Sequence, residues 1–399
     1  MSEPRTSTMS NGWLWMGAAI SISGILAGTL IAPLGWQKGL LSILVGRIIG
    51  GIFLYFAGYI GAQTRMKSMD TIKISFGQQG GIFFAVLNVL QLVGWTAVMV
   101  VNAAGALNAM MGQTGTQAIY IGSAIVGGFI FIWVMLNVKL LAKVNSATVI
   151  ALMLLCLVLT YKAFTGNPVG VIGGEMTFSR AVELSIAMPV SWVPVIADYT
   201  SKAKHPMQAN RISNISYFFG GAWMFIIGMA AAIITGIADV PQIMSLLGVG
   251  MAGLLIIVFS TVTTTYLDAV SAAISFRTIF KVLTEKKLAL IVTVVGTLIA
   301  CFVPITYFGG FLYLIGSCFT PMIAILVTDY FLLKRVKVTS GIDWINLIIW
   351  LVGFVIYRIF LALDLVVGAS VPAIVLVILI TYVVNRNRKK TSVPLEKSV

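Results

Sequence analysis

Apolar residues in this chain come in runs rather than in alternation. Twelve runs stand out, at roughly 13–34, 39–62, 80–111, 119–136, 141–164, 178–200, 211–236, 244–276, 287–304, 307–333, 344–363 and 367–385, each bounded by a short polar or basic stretch. Ala289–Val303 and Val371–Val384 are nearly free of charge, and about 20 apolar residues are what a helix needs to cross a bilayer core. At that depth no water pairs the backbone N–H and C=O groups, so only helices or closed barrels can span. A barrel would show alternating strands of about ten residues. These runs are longer and apolar on every side, so the pattern predicts an all-α polytopic membrane protein with twelve transmembrane helices.

Composition agrees: 59% of the 399 residues are hydrophobic and 10% charged, against about 25% charged in soluble domains. The net charge of +14 does not indicate a nucleic-acid partner, because the basic residues sit in short clusters between apolar runs, as topology requires. With the N-terminus placed in the cytoplasm, 21 of the 26 Lys and Arg residues fall on the inner side. Only Lys38, Lys162 and Arg180 fall outside, while Arg47 and Arg358 lie within helices. Both termini are therefore expected in the cytoplasm of a bacterial-type plasma membrane. Residues 1–12 show no cleavable signal and read as a cytoplasmic tail, 13–385 as the transmembrane domain and 386–399 as a basic tail. Cys156, Cys301 and Cys318 lie in apolar runs without CxxC spacing and read as small hydrophobes. His205 alone cannot build a metal site.

Two spans carry interruptions. The first reads Ile20-Ser-Ile-Ser-Gly-Ile-Leu-Ala-Gly-Thr29, small and hydroxylated at mid-depth; the sixth reads Met188-Pro-Val-Ser-Trp-Val-Pro194. Proline removes a backbone donor and clashes with the preceding turn. Interrupted spans at matching positions of two halves point to a midplane site in inverted-repeat transporters. This predicts two inverted five-helix repeats, 13–164 and 178–333, plus extra helices in 344–385. The breaks are expected near Ser21–Gly24 and Pro189–Trp192, side by side. The plain alternative is a pair of ordinary kinked helices.

Polar residues at depth give the candidate chemistry. Span eight carries Ser260-Thr-Val-Thr-Thr-Thr-Tyr-Leu-Asp268. Hydroxyl and carbonyl oxygens suit a small hard cation. Thr263, Thr264 and the Ser260 carbonyl, with the carbonyls of Gly17 and Ile20, form a candidate Na⁺ site. The plain alternative is that these hydroxyls bond back to the preceding turn. Asp268, one turn after Thr264, is an intramembrane carboxylate and hence a functional candidate; the alternative is a structural partner for Arg47 or Arg358. In span three Gln91 and Trp95 share a face, and span six adds Ser191 and Trp192 at its break, opposite Ser21 in span one. Gln91, Trp95, Ser191, Trp192, Ser21 and Asp268 are the candidate substrate residues, two indole faces with polar groups between them. Trp13, Trp15, Trp36 and Trp344 read as interfacial anchors. Asp198 and Asp329 read as local charge partners or gate elements, and Glu183 carries no assigned role.

At these residues the chain resembles the nucleobase:cation symporter-1 family of cytosine, purine and hydantoin permeases. The resemblance rests on Val93-Gly-Trp95, on Ala197-Asp-Tyr199 followed by a basic loop, on Thr263-Thr264 and on Asp329-Tyr330, and it covers the whole chain in order. The shorter prokaryotic hydroxymethylpyrimidine permeases look most similar, through Pro-Val-Ser-Trp and Ala-Asp-Tyr-Thr in span six. The resemblance implies alternating access, Na⁺ or H⁺ coupling, an aromatic sandwich on Trp95 and Trp192, and the sodium-type site named above. Three departures favour a related pyrimidine, such as a thiamine precursor, over cytosine itself. Gln91 stands four residues before Trp95 where cytosine permeases have three, Pro189 replaces a stacking phenylalanine, and Thr265-Tyr-Leu-Asp268 replaces an Asn-rich segment. The expectation is a cation-coupled importer of a pyrimidine or related heterocycle, with no cofactor and no obligate protein partner. A channel lacks its repeated filter motif or charge rings, and an enzyme lacks a clustered His/Asp/Glu or Ser–His site. An amino-acid symporter on the same fold is the main rival.

Overall fold

The computed structural model describes residues 5–136, 138–166, 173–248, 250–279, 283–303, 305–339, 341–388 and 392–393. Lys281, Lys389, Lys390 and Lys397 of the basic clusters, most of the 386–399 tail and the first four residues lie outside these. Among the described residues twelve spans run through fifteen helices. The first span is two helices, α1 (Thr8–Ala19) and α2 (Ile22–Ile31). Ser7 starts α1 early, its hydroxyl accepting from the Ser10 N–H at 3.1 Å, which satisfies one of the helix's free donors. Next come α3 (Gly35–Thr64), α4 (Ser68–Met111), α5 (Thr116–Met135) and α6 (Val138–Thr165). The chain bends within α4 at Gly77, whose φ of 81° suits glycine and where a Cβ would meet the Gly341 carbonyl at 2.5 Å. Span three proper therefore starts after Gly77, close to its expected start.

The sixth span is α7 (Phe178–Val190), a turn, and α8 (Ile196–Thr200); the seventh is α9 (Pro206–Thr235). A single eighth span over 244–276 is corrected: a separate short helix, α10 (Val240–Leu246), precedes α11 (Gly250–Ile279). Asp239 caps α10 through the Gln242 N–H at 2.9 Å, and Gly248 turns the chain at φ 63°. The chain continues with α12 (Glu285–Phe302), α13 (Phe308–Val327), α14 (Trp344–Leu363) and α15 (Ser370–Asn385). Among the described residues eight helical stretches are individually long and apolar enough to cross a membrane. Span six falls short because it is broken, and α12 because its first turn holds Glu285, Lys286 and Lys287.

The packing has the symmetry of an inverted repeat. Span two (α3) lies against span six (α7 and α8), and span seven (α9) against span one (α1 and α2); exchanging the repeats exchanges the two contacts. The equivalent spans three and eight (α4 and α11) pack on each other, and each also meets the fourth helix of the other repeat. Spans eleven and twelve (α14 and α15) lie outside, against α13.

Without a hydrophobic drive between helices in lipid, small residues let backbones approach closely. Gly28 of α2 faces the Phe225 carbonyl of α9, and Gly228 of α9 faces the Ile25 carbonyl of α2. Gly28→Ala would place a Cβ on that carbonyl, so it is expected to destabilise by about 1–3 kcal/mol through overpacking. Gly51→Ala, whose Cβ meets open space, is the control. A lowered midpoint of thermal unfolding in detergent for Gly28→Ala alone checks this, and equal midpoints would refute it.

Candidate substrate and cation sites at the helix breaks

Both breaks form, each slightly displaced from its expected place. In span one the helix stops at Ala19; Ile20 takes ψ 82° and Ser21 is extended. The Ser21 N–H turns to the Ala19 carbonyl at 3.1 Å and the Gly24 N–H to the Ser21 carbonyl at 3.1 Å. A continuous helix would have sent these donors to Gly17 and Ile20. Among the described residues no N–H replaces them, so the carbonyls of Gly17 and Ile20 are released. In span six Pro189 stays inside the last turn of α7, and the break falls at Ser191–Val195, around Pro194. Pro194 has no N–H to continue the helix. Tight three-residue turns replace it, Trp192 N–H to the Pro189 carbonyl at 3.1 Å and Val193 N–H to the Val190 carbonyl at 3.1 Å. The two breaks are neighbours: Trp15 of α1 meets Trp192 edge-on, ring centroids 5.4 Å apart.

Across from span one, the hydroxyls of Thr263 and Thr264 both donate to the Ser260 carbonyl, at 2.9 and 2.8 Å. The back-bonding foreseen as the plain alternative is therefore present, and it gathers three oxygens at one point of α11. Helix α6 ties this point to the break. Its Val149 lies 3.3 Å from where a Cβ on Gly17 would stand, and its Thr148 hydroxyl is 3.2 Å from that of Thr263. Gly17 of span one and Thr263 of span eight thus both border α6.

The substrate candidates meet around Gln91. Its side-chain N–H₂ donates to the Ser191 carbonyl at 2.7 Å and to Asn88 Oδ1 at 2.7 Å. Asn88 is itself oriented by donating to Ser275 Oγ at 2.7 Å. With both N–H groups engaged, Gln91 Oε1 is left buried without a partner among the described residues. Gln91 thus links span three to the break in span six. The Ser191 hydroxyl donates to the Met188 carbonyl at 2.7 Å, and the Ser21 and Ser23 hydroxyls pair at 2.8 Å. Trp95 makes no direct ring contact with Trp192 among the described residues; it meets Phe311 and Phe308 of span ten edge-on at 5.5 and 5.9 Å.

Asp268 is buried, with no hydrogen bond or ion pair among the described residues. Neither alternative partner takes it: Arg47 stacks over the Phe225 ring at 4.2 Å, and Arg358 is exposed. Ser271 and Ser275 follow Asp268 on the same face of α11. They bond Tyr199 of span six at 3.1 Å and Asn88 of span three, so Asp268 faces the space between those spans.

Trp15 is a correction: it is fully buried rather than an interfacial anchor, ringed by Trp192, Tyr199 and Tyr217. Trp13, Trp36 and Trp344 are exposed. Sequence reasoning also missed Asn88, which stands three residues before Gln91 and seven before Trp95 on one helical face, a spacing that was available. Asp329 pairs with Arg335 at 3.2 Å, and Asp198 accepts from the Ser68 N–H at 2.8 Å, a bond that ties α8 to the start of α4. Glu183 gains a structural one, accepting from Tyr357, from the Ser370 N–H and from the Ser370 hydroxyl at 2.7–2.8 Å, which holds α7 to α14 and α15.

Inverted repeats, paired helix breaks and polar side chains converging on them at depth define a polytopic membrane transporter rather than an enzyme. More narrowly, the chain belongs to the family of permeases for cytosine/purines, uracil, thiamine and allantoin, which residues 2–385 match. It is 24% identical to the cytosine permease of Escherichia coli over 319 residues, covering 77% of this chain and 74% of that one. A vitamin B6 transporter of Saccharomyces cerevisiae is 22% identical over 351 residues, 80% of this chain and 60% of the yeast protein. Among solved structures, the inward-facing conformation of Mhp1 superposes with a TM-score of 0.76 at 19% identity, over 96% of this chain and 91% of that one. Mhp1, a nucleobase-cation-symport-1 family transporter, in a closed conformation with bromovinylhydantoin bound gives 0.73 at 21% identity, over 95% and 93%.

Proposed function

We propose that this permease imports a pyrimidine or related nucleobase-like heterocycle, such as hydroxymethylpyrimidine or cytosine, by cation-coupled alternating access. The observation that carries this reading is the state of Gln91: its donors hold the unwound backbone of span six, while its carbonyl oxygen is buried and has no partner among the described residues. Such an oxygen costs free energy unless a donor reaches it, and a ring N–H is a donor of the right kind. Trp95 and Trp192 supply faces for the ring, and Asp268, Ser191 and Ser21 read its remaining polar edge. The cytosine permease relative and the hydantoin on Mhp1 support a flat, polar-edged substrate.

Coupling rests on the oxygens of Gly17, Ile20, Ser260, Thr263 and Thr264, which suit Na⁺; a proton on Asp268 is the other route. Both termini face the cytoplasm in this reading. No cofactor takes part, and the partners are the heterocycle, the cation and the bilayer.

Uptake of labelled cytosine, hydroxymethylpyrimidine, a purine and an amino acid into proteoliposomes, with and without a Na⁺ gradient, tests it. Accumulation of a heterocycle is expected, and accumulation of the amino acid alone would replace this reading with the rival symporter. Thr263→Val with Thr264→Val keeps the shape and removes two oxygens, so Na⁺ stimulation of uptake should be lost. Full stimulation in that variant would remove the cation assignment while leaving the substrate reading standing.

A further inference from the structure

Span five touches both walls of the candidate cation site. On the span-one side, Val149 lies 3.3 Å from where a Cβ on Gly17 would stand, next to a carbonyl the break has released. On the span-eight side, Thr148 Oγ1 lies 3.2 Å from Thr263 Oγ1. Thr263 directs its hydrogen at the Ser260 carbonyl, so its oxygen lone pairs remain for the side where Thr148 stands. Hydroxyl oxygens in that relation can share a hard cation, each through a lone pair.

We propose that Thr148 is itself a cation ligand, so that the site is closed by three helices, spans one, five and eight, rather than by two. This rests on the cation site described under the proposed function and adds an oxygen to it. The consequence is mechanical. A cation held by the carbonyls of Gly17 and Ile20, by the hydroxyls of Thr263 and Thr264 and by Thr148 fastens span five across the break in span one. Loss of the cation releases span five from both. Opening on that side is then tied to cation departure, because the same oxygen that binds the ion holds the helix in place. A hydroxyl at this position is required; a methyl of the same size packs equally well but leaves span five without a hold on the ion.

The test is a titration of the intrinsic tryptophan fluorescence of the purified full chain in detergent with NaCl, choline chloride supplying constant ionic strength. Trp15 and Trp192 stand at the breaks and serve as reporters. Thr148→Val, isosteric, should raise the half-saturating Na⁺ concentration about tenfold or more, the effect of losing one ion-directed oxygen. Thr148→Ser, which keeps the oxygen, should titrate close to wild type. Thermal unfolding without Na⁺ should be the same for all three, which separates a lost ligand from a damaged fold. Should Thr148→Val titrate as wild type while the double variant Thr263→Val with Thr264→Val does not, Thr148 is no ligand and the two-helix site stands. Equal weakening by valine and serine overturns the proposal in favour of a packing role. A wild type that gives no Na⁺ response overturns the cation site itself, and this inference with it.

Discussion

Asparagine at position 268 is expected to reduce uptake by about 100-fold, among the largest effects of any single change of equal volume in this chain. The carboxylate is buried in α11 without a hydrogen bond or ion pair among the described residues, and the two arginines within helices do not reach it. An unpaired carboxylate at such depth is costly, so its presence calls for a partner that comes and goes. Two partners fit, a ring N–H of the substrate or a transported proton, and the same variant separates them. If Asp268 reads the substrate, equilibrium binding weakens with transport, by the roughly 1.5–3 kcal/mol of a hydrogen bond to a charged group. If it carries a proton, binding persists and only concentrative uptake is lost. Equilibrium binding of labelled hydroxymethylpyrimidine, measured beside uptake, distinguishes the two. Wild-type uptake by Asp268→Asn would remove the residue from the mechanism altogether.

Much of this architecture was legible in the chain because a bilayer enforces simple rules. Apolar runs had to be helices, and the basic residues between them fixed their number. The breaks were legible through proline and small residues, though their positions were not. Pro189 lies inside the last turn of α7, and the unwinding falls beyond it, around Pro194. Span one unwinds at Ile20–Ser21 without any proline. There Gly220 and Gly24 let α9 pack closely against the stretch, a tertiary contact that no local pattern records. Trp15 was misplaced because α1 begins at Thr8, capped by Ser7, and this carries the indole two turns into the helix. The order of polar residues on α4 and α11 could be read from spacing. Which of their atoms are already engaged could not, since Gln91 is oriented by Ser191, a hundred residues away.

Gln91 supports the second large effect. Leucine there removes two donors and one acceptor, with distinct consequences. The Ser191 carbonyl and Asn88 Oδ1 lose their partner, and the substrate loses the free Oε1. Each buried polar group left unpaired costs about 1–3 kcal/mol, so Gln91→Leu should weaken binding of a pyrimidine with an amide-like edge by at least tenfold. Part of that loss comes from a loosened break and should appear with every ligand. The rest belongs to Oε1 and should fall chiefly on rings that offer an N–H. Glutamate separates the two parts. It keeps an oxygen for the ring, but when ionised it presents carboxylate oxygens to the Ser191 carbonyl, so it should damage the break and spare the preference among rings. Competition of cytosine, hydroxymethylpyrimidine and a purine against labelled substrate, in wild type and both variants, gives the ranking. A Gln91→Leu protein that weakens all ligands by the same factor would place Gln91 in the hinge of span six and outside substrate recognition. One that binds and ranks them as wild type does would move the binding cavity away from this face of α4.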